Sequence, residues 1–391
     1  MEDFDPPGAE NPFSGLPFLN DIVRALGSKG AQSARQVAMA VATEGGSEPN
    51  VDPVVRIEFE ALARVAELHV AEHTGLPPSR EGSLVVEPLT RAGWAARSVD
   101  ALRPLLGVLA EPPPNERVDP DEEADGSTAW LGEVMATLAP LMAEMTAGTL
   151  VGRLATRSLG SYDLPIPRDD DRILLVAPNI ASFAEDWSLP AEEVRLWVCL
   201  HEVAHHAVLG VPHVRVAMNG LLASHAAGFR NDPSVLEERL GEFDPATGPE
   251  GLASLQRLLE PESVLSAVRS PEQLALLPRL EALVAVVIGF VDHTMDRIGD
   301  GLIASYPMVT EALRRRRVTT DRTDRFVERI LGLDLTQDQV DRGARFVAGV
   351  VERAGPEALD RLWVDGTCLP TPNEVDAPGL WLARIHLDSD G

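Results

Sequence analysis

His201-Glu202-Val203-Ala204-His205 carries the strongest chemical statement in this 391-residue chain. Histidines four residues apart lie one turn apart on one face of an α-helix, close enough to bind one metal ion. A glutamate between them can activate a metal-bound water as general base. The string sits inside Leu196–Gly210, where Trp197, Val198, Leu200, Val203, Ala204 and Val208 are apolar. Burying two imidazoles and a carboxylate among such neighbours is costly unless they are paired or hold a metal. The bland alternative is two satisfied core histidines with an ion-paired glutamate.

Other histidines are weaker candidates. His69-Val70-Ala71-Glu72-His73 has the inverted order His-x-x-Glu-His. It closes a helix just before Gly75, where histidine is common because it suits the negative end of the helix dipole. That reading is preferred to a metal site. His206 falls about 100° around the helix from His205 and is a poor co-ligand. His213 follows Gly210 and Pro212; the longer zincin spacing wants a histidine at position 211, where Val211 stands. A catalytic zinc also needs a third protein ligand and an open position. The acids of the apolar stretch Pro271–Gly299 that could supply one are Glu281, Asp292 and Asp296.

The elements that must position these residues are mostly helical by pattern. Ser188-Leu189-Pro190 followed by Glu192 and Glu193 predicts a helix start, with Ser188 as cap and acids at the positive end of the dipole. Gly210 and Pro212 end that helix. Amphipathic spacing of Ile57, Phe59, Leu62, Val65, Ala66 and His69 predicts a helix over 54–73. Further helices are expected at 18–26, 88–110, 130–159, 214–229, 271–299, 324–331, 337–354 and 356–362. The many small residues of 130–159 suit close helix packing. The stretch 271–299 is apolar nearly all round, hence central. Asn179–Trp187 reads as a short connection or a turn of helix. Arg172–Ala177 is the best strand candidate. It is expected to be an edge strand that could hold an extended peptide beside the site. Arg314–Arg317 reads as a solvated helix end.

Composition narrows the partners. A formal net charge of −27 argues against nucleic acid or an anionic membrane as partner. Two cysteines in the whole chain suggest no disulfide framework and a reducing cytoplasm. Met1–Pro7 lacks the basic start and apolar core of a signal peptide. The longest apolar run, Ala282–Val291, is too short to span a bilayer. Residues 1–16 read as a flexible lead-in. Residues 17–391 read as one domain, with acidic loops near 111–127 and 230–251.

Several stretches together resemble a family of bacterial zincin-like metallopeptidases, some of whose members are labelled as associated with coenzyme F420 biosynthesis. They are Asn50–Pro53 with Ala66–Ala71, Gly160–Pro167, Phe183–Pro190, Leu196–His213 and Gly289–Asp296. The resemblance implies a mainly α, helical zincin-like fold with a minor β element. It also implies zinc at His201 and His205, with Glu202 as catalytic acid/base. Relatives commonly carry glutamate four residues ahead of the aspartate, where this chain has Ile288. Isoleucine cannot bind zinc. Asp292, one turn on and about 40° around, becomes the expected third ligand unless the position is filled from elsewhere. The expected activity is zinc-dependent hydrolysis of a peptide or small amide. The alternative is a non-catalytic zincin-like scaffold with an incomplete metal site.

Overall fold

The computed structural model describes residues 34–107, 144–228, 270–319, 328, 331–333 and 335–387. The lead-in, the helix expected at 18–26, both acidic loops, the start of the 130–159 helix and most of the 324–331 helix lie outside these residues.

The described chain is mainly helical, with one small parallel sheet. Helix α1 spans Ala34–Ala42 and buries Ala34, Ala38 and Ala42 along one stripe. Helix α2 (Pro53–Thr74) begins where the Asp52 carboxylate accepts from Val54 N at 2.8 Å. It ends at Gly75, whose φ of 67° is the left-handed cap that glycine takes without strain. Its buried stripe is Phe59, Ala63, Ala66, Val70 and Thr74. Ile57 and Val65, expected inward, are exposed. The α2 core face keeps Phe59 and Ala66 but is turned by roughly a quarter of a turn from the sequence reading, so that Ala63, Val70 and Thr74 lie inward in place of Ile57 and Val65.

Strand β1 (Val85–Leu89) precedes α3 (Arg91–Gly107), so the expected helix at 88–110 starts later than its pattern suggested. Pro88 lacks a hydrogen-bond donor and suits a strand at a sheet edge. Residues 144–157 form α4. Methyl groups at Gly148 or Gly152 would collide with α1 at Ala34, Val37, Ala38 and Val41, so these glycines let the two helices touch. Strand β2 (Arg172–Val176) pairs with β1 in parallel, Val85 opposite Arg172 and Leu89 opposite Val176. Helix α5 (Ala177–Asp186) follows directly, a full helix where only a turn was expected.

Helix α6 (Ala191–Gly210) carries the His-Glu-x-x-His string, and α7 (Pro212–Ala227) follows it. Ser188 is not the cap of α6. It sits at φ 52°, the cap position belongs to Pro190, and no side chain caps the end. Instead, Glu193 reaches out of the first turn to accept from Ser305 N at 2.7 Å. Helix α8 (Pro271–Leu302) starts with a capping box between Ser270 and Gln273. By length and composition it could cross a membrane, unlike the shorter run read from sequence. However, 67% of its most apolar window is buried in the core. The chain ends with α9 (Tyr306–Thr319), α10 (Gln337–Ala354), a 3-10 turn at Pro356–Trp363 in place of the expected α-helix, α11 (Pro372–Asp376) and α12 (Pro378–Leu387).

Helices α8 and α10 cross backbone to backbone. A methyl at Gly343 would collide with the Ala285 carbonyl, and one at Gly289 would collide with Gly343 itself. Neither contact involves a side chain that could swing away. Gly343→Ala is expected to destabilise the chain by about 3 kcal/mol, the upper end of ordinary overpacking. Urea unfolding reads this as a lower midpoint; an unchanged midpoint would mean that the crossing yields freely.

Candidate metal centre

The middle of α6 is buried on every side. His201, Glu202, His205 and His206 are respectively 8%, 1%, 3% and 3% exposed. The His201 and His205 rings lie 4.3 Å apart, centroid to centroid, on one face. Trp197 stacks on His201 from the turn before at 4.8 Å, and Tyr162 lies parallel to His205 at 6.1 Å. His205 Nδ1 is 3.1 Å from the His201 carbonyl oxygen. Donation there leaves the Nε2 lone pair for an ion.

Glu202 is held from the connection between α4 and β2. Its carboxylate accepts from Ser161 N at 2.6 Å and from Tyr162 N at 3.0 Å. Its Oε1 is 3.7 Å from His201 Nδ1. Any side chain at Gly160 would overlap this carboxylate, so glycine is required there. Burial pushes the Glu202 carboxyl well above its ordinary range, and the nearby Asp163 charge adds to the rise. The two backbone N–H groups and the Arg168 guanidinium oppose it.

The same connection is anchored on both sides. Leu159 N donates to Asp163 at 3.0 Å, closing a turn. Arg168 donates to the Ser161 carbonyl at 2.8 Å. Leu174 N donates to Ser161 Oγ at 2.8 Å, and Val176 N to the Leu159 carbonyl at 2.9 Å. These bonds fill the side of β2 away from β1. The expected peptide-binding edge is therefore not free: the chain's own 159–161 segment occupies it.

His206, read as a poor co-ligand, is a link in a buried chain of hydrogen bonds. Its Nδ1 lies 2.7 Å from the Tyr162 hydroxyl and its Nε2 3.2 Å from Asp171. Asp171 also accepts from the Ser79 hydroxyl, Arg80 N, Arg80 Nε and Glu81 N, all between 2.7 and 2.9 Å. Those donors overcome burial and hold its carboxyl far below the ordinary value of 3.8. Burial pushes the Tyr162 hydroxyl up and the His206 imidazole down, so both stay neutral.

A cavity of about 380 Å³ opens onto His201, Glu202 and His205. Its wall is largely apolar, including Leu154, Leu164, Trp197, Leu313, Leu335 and Val340. Arg157, Arg316 and Glu328 add charge, with Arg157 paired to Glu328 at 3.1 Å. Arg316 lies over the Phe183 ring, so one of the four arginines read as a solvated helix end is drawn inward, while Arg314 and Arg315 pair with Glu311.

The third-ligand expectation fares differently. Ile288 lines the cavity, in the place where a carboxylate was looked for. Asp292 does not line it; its charge acts on Tyr306, whose hydroxyl donates to Asp296 at 2.8 Å. In type, the donors fit zinc: two neutral-capable imidazoles on one face. Among the described residues, His201 and His205 are the imidazoles that line the cavity, and Glu202, Asp163 and Glu328 are the carboxylates. Among the described residues, the group of three whose ligand atoms all lie within 4.8 Å of one another is His69, Glu72 and His73. The sequence reading missed Ser161, Tyr162 and Asp171. The signal for Ser161 and Tyr162 was Gly160–Pro167, which the family resemblance marked as a stretch without giving its residues roles; Asp171 lies beyond it.

A family model described as zincin-like metallopeptidase matches residues 31–382. No curated protein matches the chain. The chain is similar to a crystal structure from Chloroflexus aurantiacus, that of a candidate hydrolase with a novel fold. The TM-score is 0.57 and the identity 24%, over 91% of this chain and 98% of that one.

Proposed function

The chain belongs to the zincin-like metallopeptidase family, and on that premise we propose that it is a zinc-dependent hydrolase acting on a peptide or small amide. The observation that carries the reading is the convergence of His201, Glu202 and His205 on one largely apolar cavity. His201 and His205 would hold the ion. Bound there, zinc supplies Lewis-acid polarisation of water and of a substrate carbonyl.

The rest falls to the chain. Glu202 takes the proton of the attacking water at Oε1, the oxygen nearer His201. Burial raises its proton affinity, which strengthens the ionised carboxylate as a base. Ser161 N and Tyr162 N fix the carboxylate, so little reorganisation is needed when the proton moves. Glu202 then returns the proton to the leaving amine. Trp197 and Ile288 keep bulk water from the imidazoles, and the leucine-rich wall accepts the apolar part of a substrate. The cytoplasm is the proposed location, on the strength of two free thiols, Cys199 and Cys368.

A second reading, a non-catalytic zincin-like scaffold, is favoured by Ile288 alone. Zinc titration and peptide hydrolysis separate the two. The intact chain is expected to bind one zinc more than the His201→Ala/His205→Ala variant and to cleave peptides that the variant leaves intact. Equal zinc in both would overturn the site, and zinc binding without hydrolysis would favour the scaffold. Ile288→Glu supplies the missing carboxylate. It is expected to tighten zinc binding by roughly tenfold or more, about 1.4 kcal/mol; unchanged affinity would mean that position 288 does not reach the ion.

A further inference from the structure

We propose that His69, Glu72 and His73 form a second metal site on α2, taking a borderline-soft divalent ion such as Zn²⁺. Each residue offers a ligand atom, and the three atoms lie within 4.8 Å of one another. The spacing is i, i+3, i+4, the set of positions that share one face of a helix. His69 Nδ1 is 3.9 Å from Glu72 Oε2, and the two rings are 6.2 Å apart. His73 Nδ1 lies 2.9 Å from the His69 carbonyl oxygen. Donation there fixes the tautomer and leaves Nε2 with its lone pair, the orientation that ligating histidines commonly receive from a backbone carbonyl.

The donor set selects the ion. Two imidazole nitrogens and one carboxylate oxygen are a zinc-type set, with solvent completing the shell. Magnesium and calcium call for oxygen ligands throughout. The ordinary explanation, histidines drawn to a helix C-terminus by its dipole, covers His73 but not its neighbours. His69 lies a turn earlier. Glu72 is in the last turn of a helix ending at Thr74, where the dipole disfavours negative charge. A cation beside Glu72 removes that conflict. The chain's net charge of −27 also concentrates cations at its surface.

This site is independent of the one on α6. It shares no ligand with His201 and His205, and it is partly open to solvent: His69 and His73 are half-buried and Glu72 is exposed. The geometry suits an exchangeable ion at the surface rather than a closed structural one. Because the three side chains reach outward, they can be replaced without opening the core.

The test is Zn²⁺ titration of the metal-stripped full chain by equilibrium dialysis. His69→Ala/His73→Ala is expected to bind one equivalent fewer than the intact chain, with its far-UV dichroism unchanged. Glu72→Gln is expected to keep the equivalent but weaken it by about tenfold. In the His201→Ala/His205→Ala chain the α2 equivalent is expected to persist, which distinguishes this site from the one on α6. Equal stoichiometry in the intact chain and in His69→Ala/His73→Ala would overturn the proposal, even if the α6 variant does not fold.

Discussion

Glu202→Gln is expected to lower kcat/KM for peptide or amide hydrolysis by about 10²- to 10⁴-fold, the usual worth of a positioned general base, while leaving the chain folded. The separation of effects follows from the geometry. The closest contacts, Ser161 N at 2.6 Å and Tyr162 N at 3.0 Å, both go to Oε2. A glutamine oxygen placed there keeps both bonds. The amide nitrogen then takes the place of Oε1 and loses only the longer contact from Tyr162 N, at 3.2 Å. The substitution also removes a carboxyl whose ionised form burial opposes. Thermal stability should therefore be unchanged or raised as activity falls. An assay and a melt on the same preparation check both halves. Full activity in the variant would sink the mechanism, and a collapsed melt would show that the carboxylate serves the fold instead.

Asp171→Asn is expected to produce the largest loss of stability, about 3–5 kcal/mol, as for breaking one side of a buried ion pair. Asp171 is 7% exposed and accepts five hydrogen bonds, from Ser79, Arg80 twice, Glu81 and His206. An asparagine would turn an amide toward some of those donors and leave the Arg80 guanidinium without its counter-charge. The pH dependence has a definite sign. The folded carboxyl is held below its ordinary value of 3.8. Its contribution is therefore complete above the unfolded value and drains away as the pH falls from there toward the folded one. Urea midpoints between about pH 5 and pH 2 should fall in the intact chain and fall less steeply in the variant. Parallel curves would show that Asp171 does not govern the acid limb. Loss of Asp171 also frees His206 and, through it, Tyr162, so the variant should loosen the segment that holds Glu202.

How much of this could be read without coordinates differs between fold and site. The helices of 53–74, 191–210, 271–302 and 337–354 were legible from local patterns: Gly75 stops the first, Gly210 and Pro212 stop the second, and the third is apolar nearly all round. The strand at Arg172–Val176 was legible as a short apolar run. Its partner Val85–Leu89 was not, because β-pairing depends on contacts distant in sequence, and Pro88 with its neighbours has no alternation to betray it. Which residues face inward on α2 was misread for the same reason. A helix shows its core face only when its neighbours are known, and here they prefer alanine over isoleucine.

In the site, spacing alone determined that His201 and His205 share a face with Glu202 beside them, since 3.6 residues per turn leaves no other arrangement. The apolar flanks determined that this face would be buried. Only the tertiary structure decided what meets it. It placed the Ser161 and Tyr162 backbone on Glu202 and Ile288 on the cavity wall, and it left Asp292 outside that wall. For His69, Glu72 and His73 the spacing along one helix already sets a shared face, and the structure adds the rotamers that bring their ligand atoms within 4.8 Å of one another. The physical reason is common to all four. Ligands along one helix are fixed by its pitch, but rotamers and the approach of a second element are set by packing across the core, which no local spacing encodes.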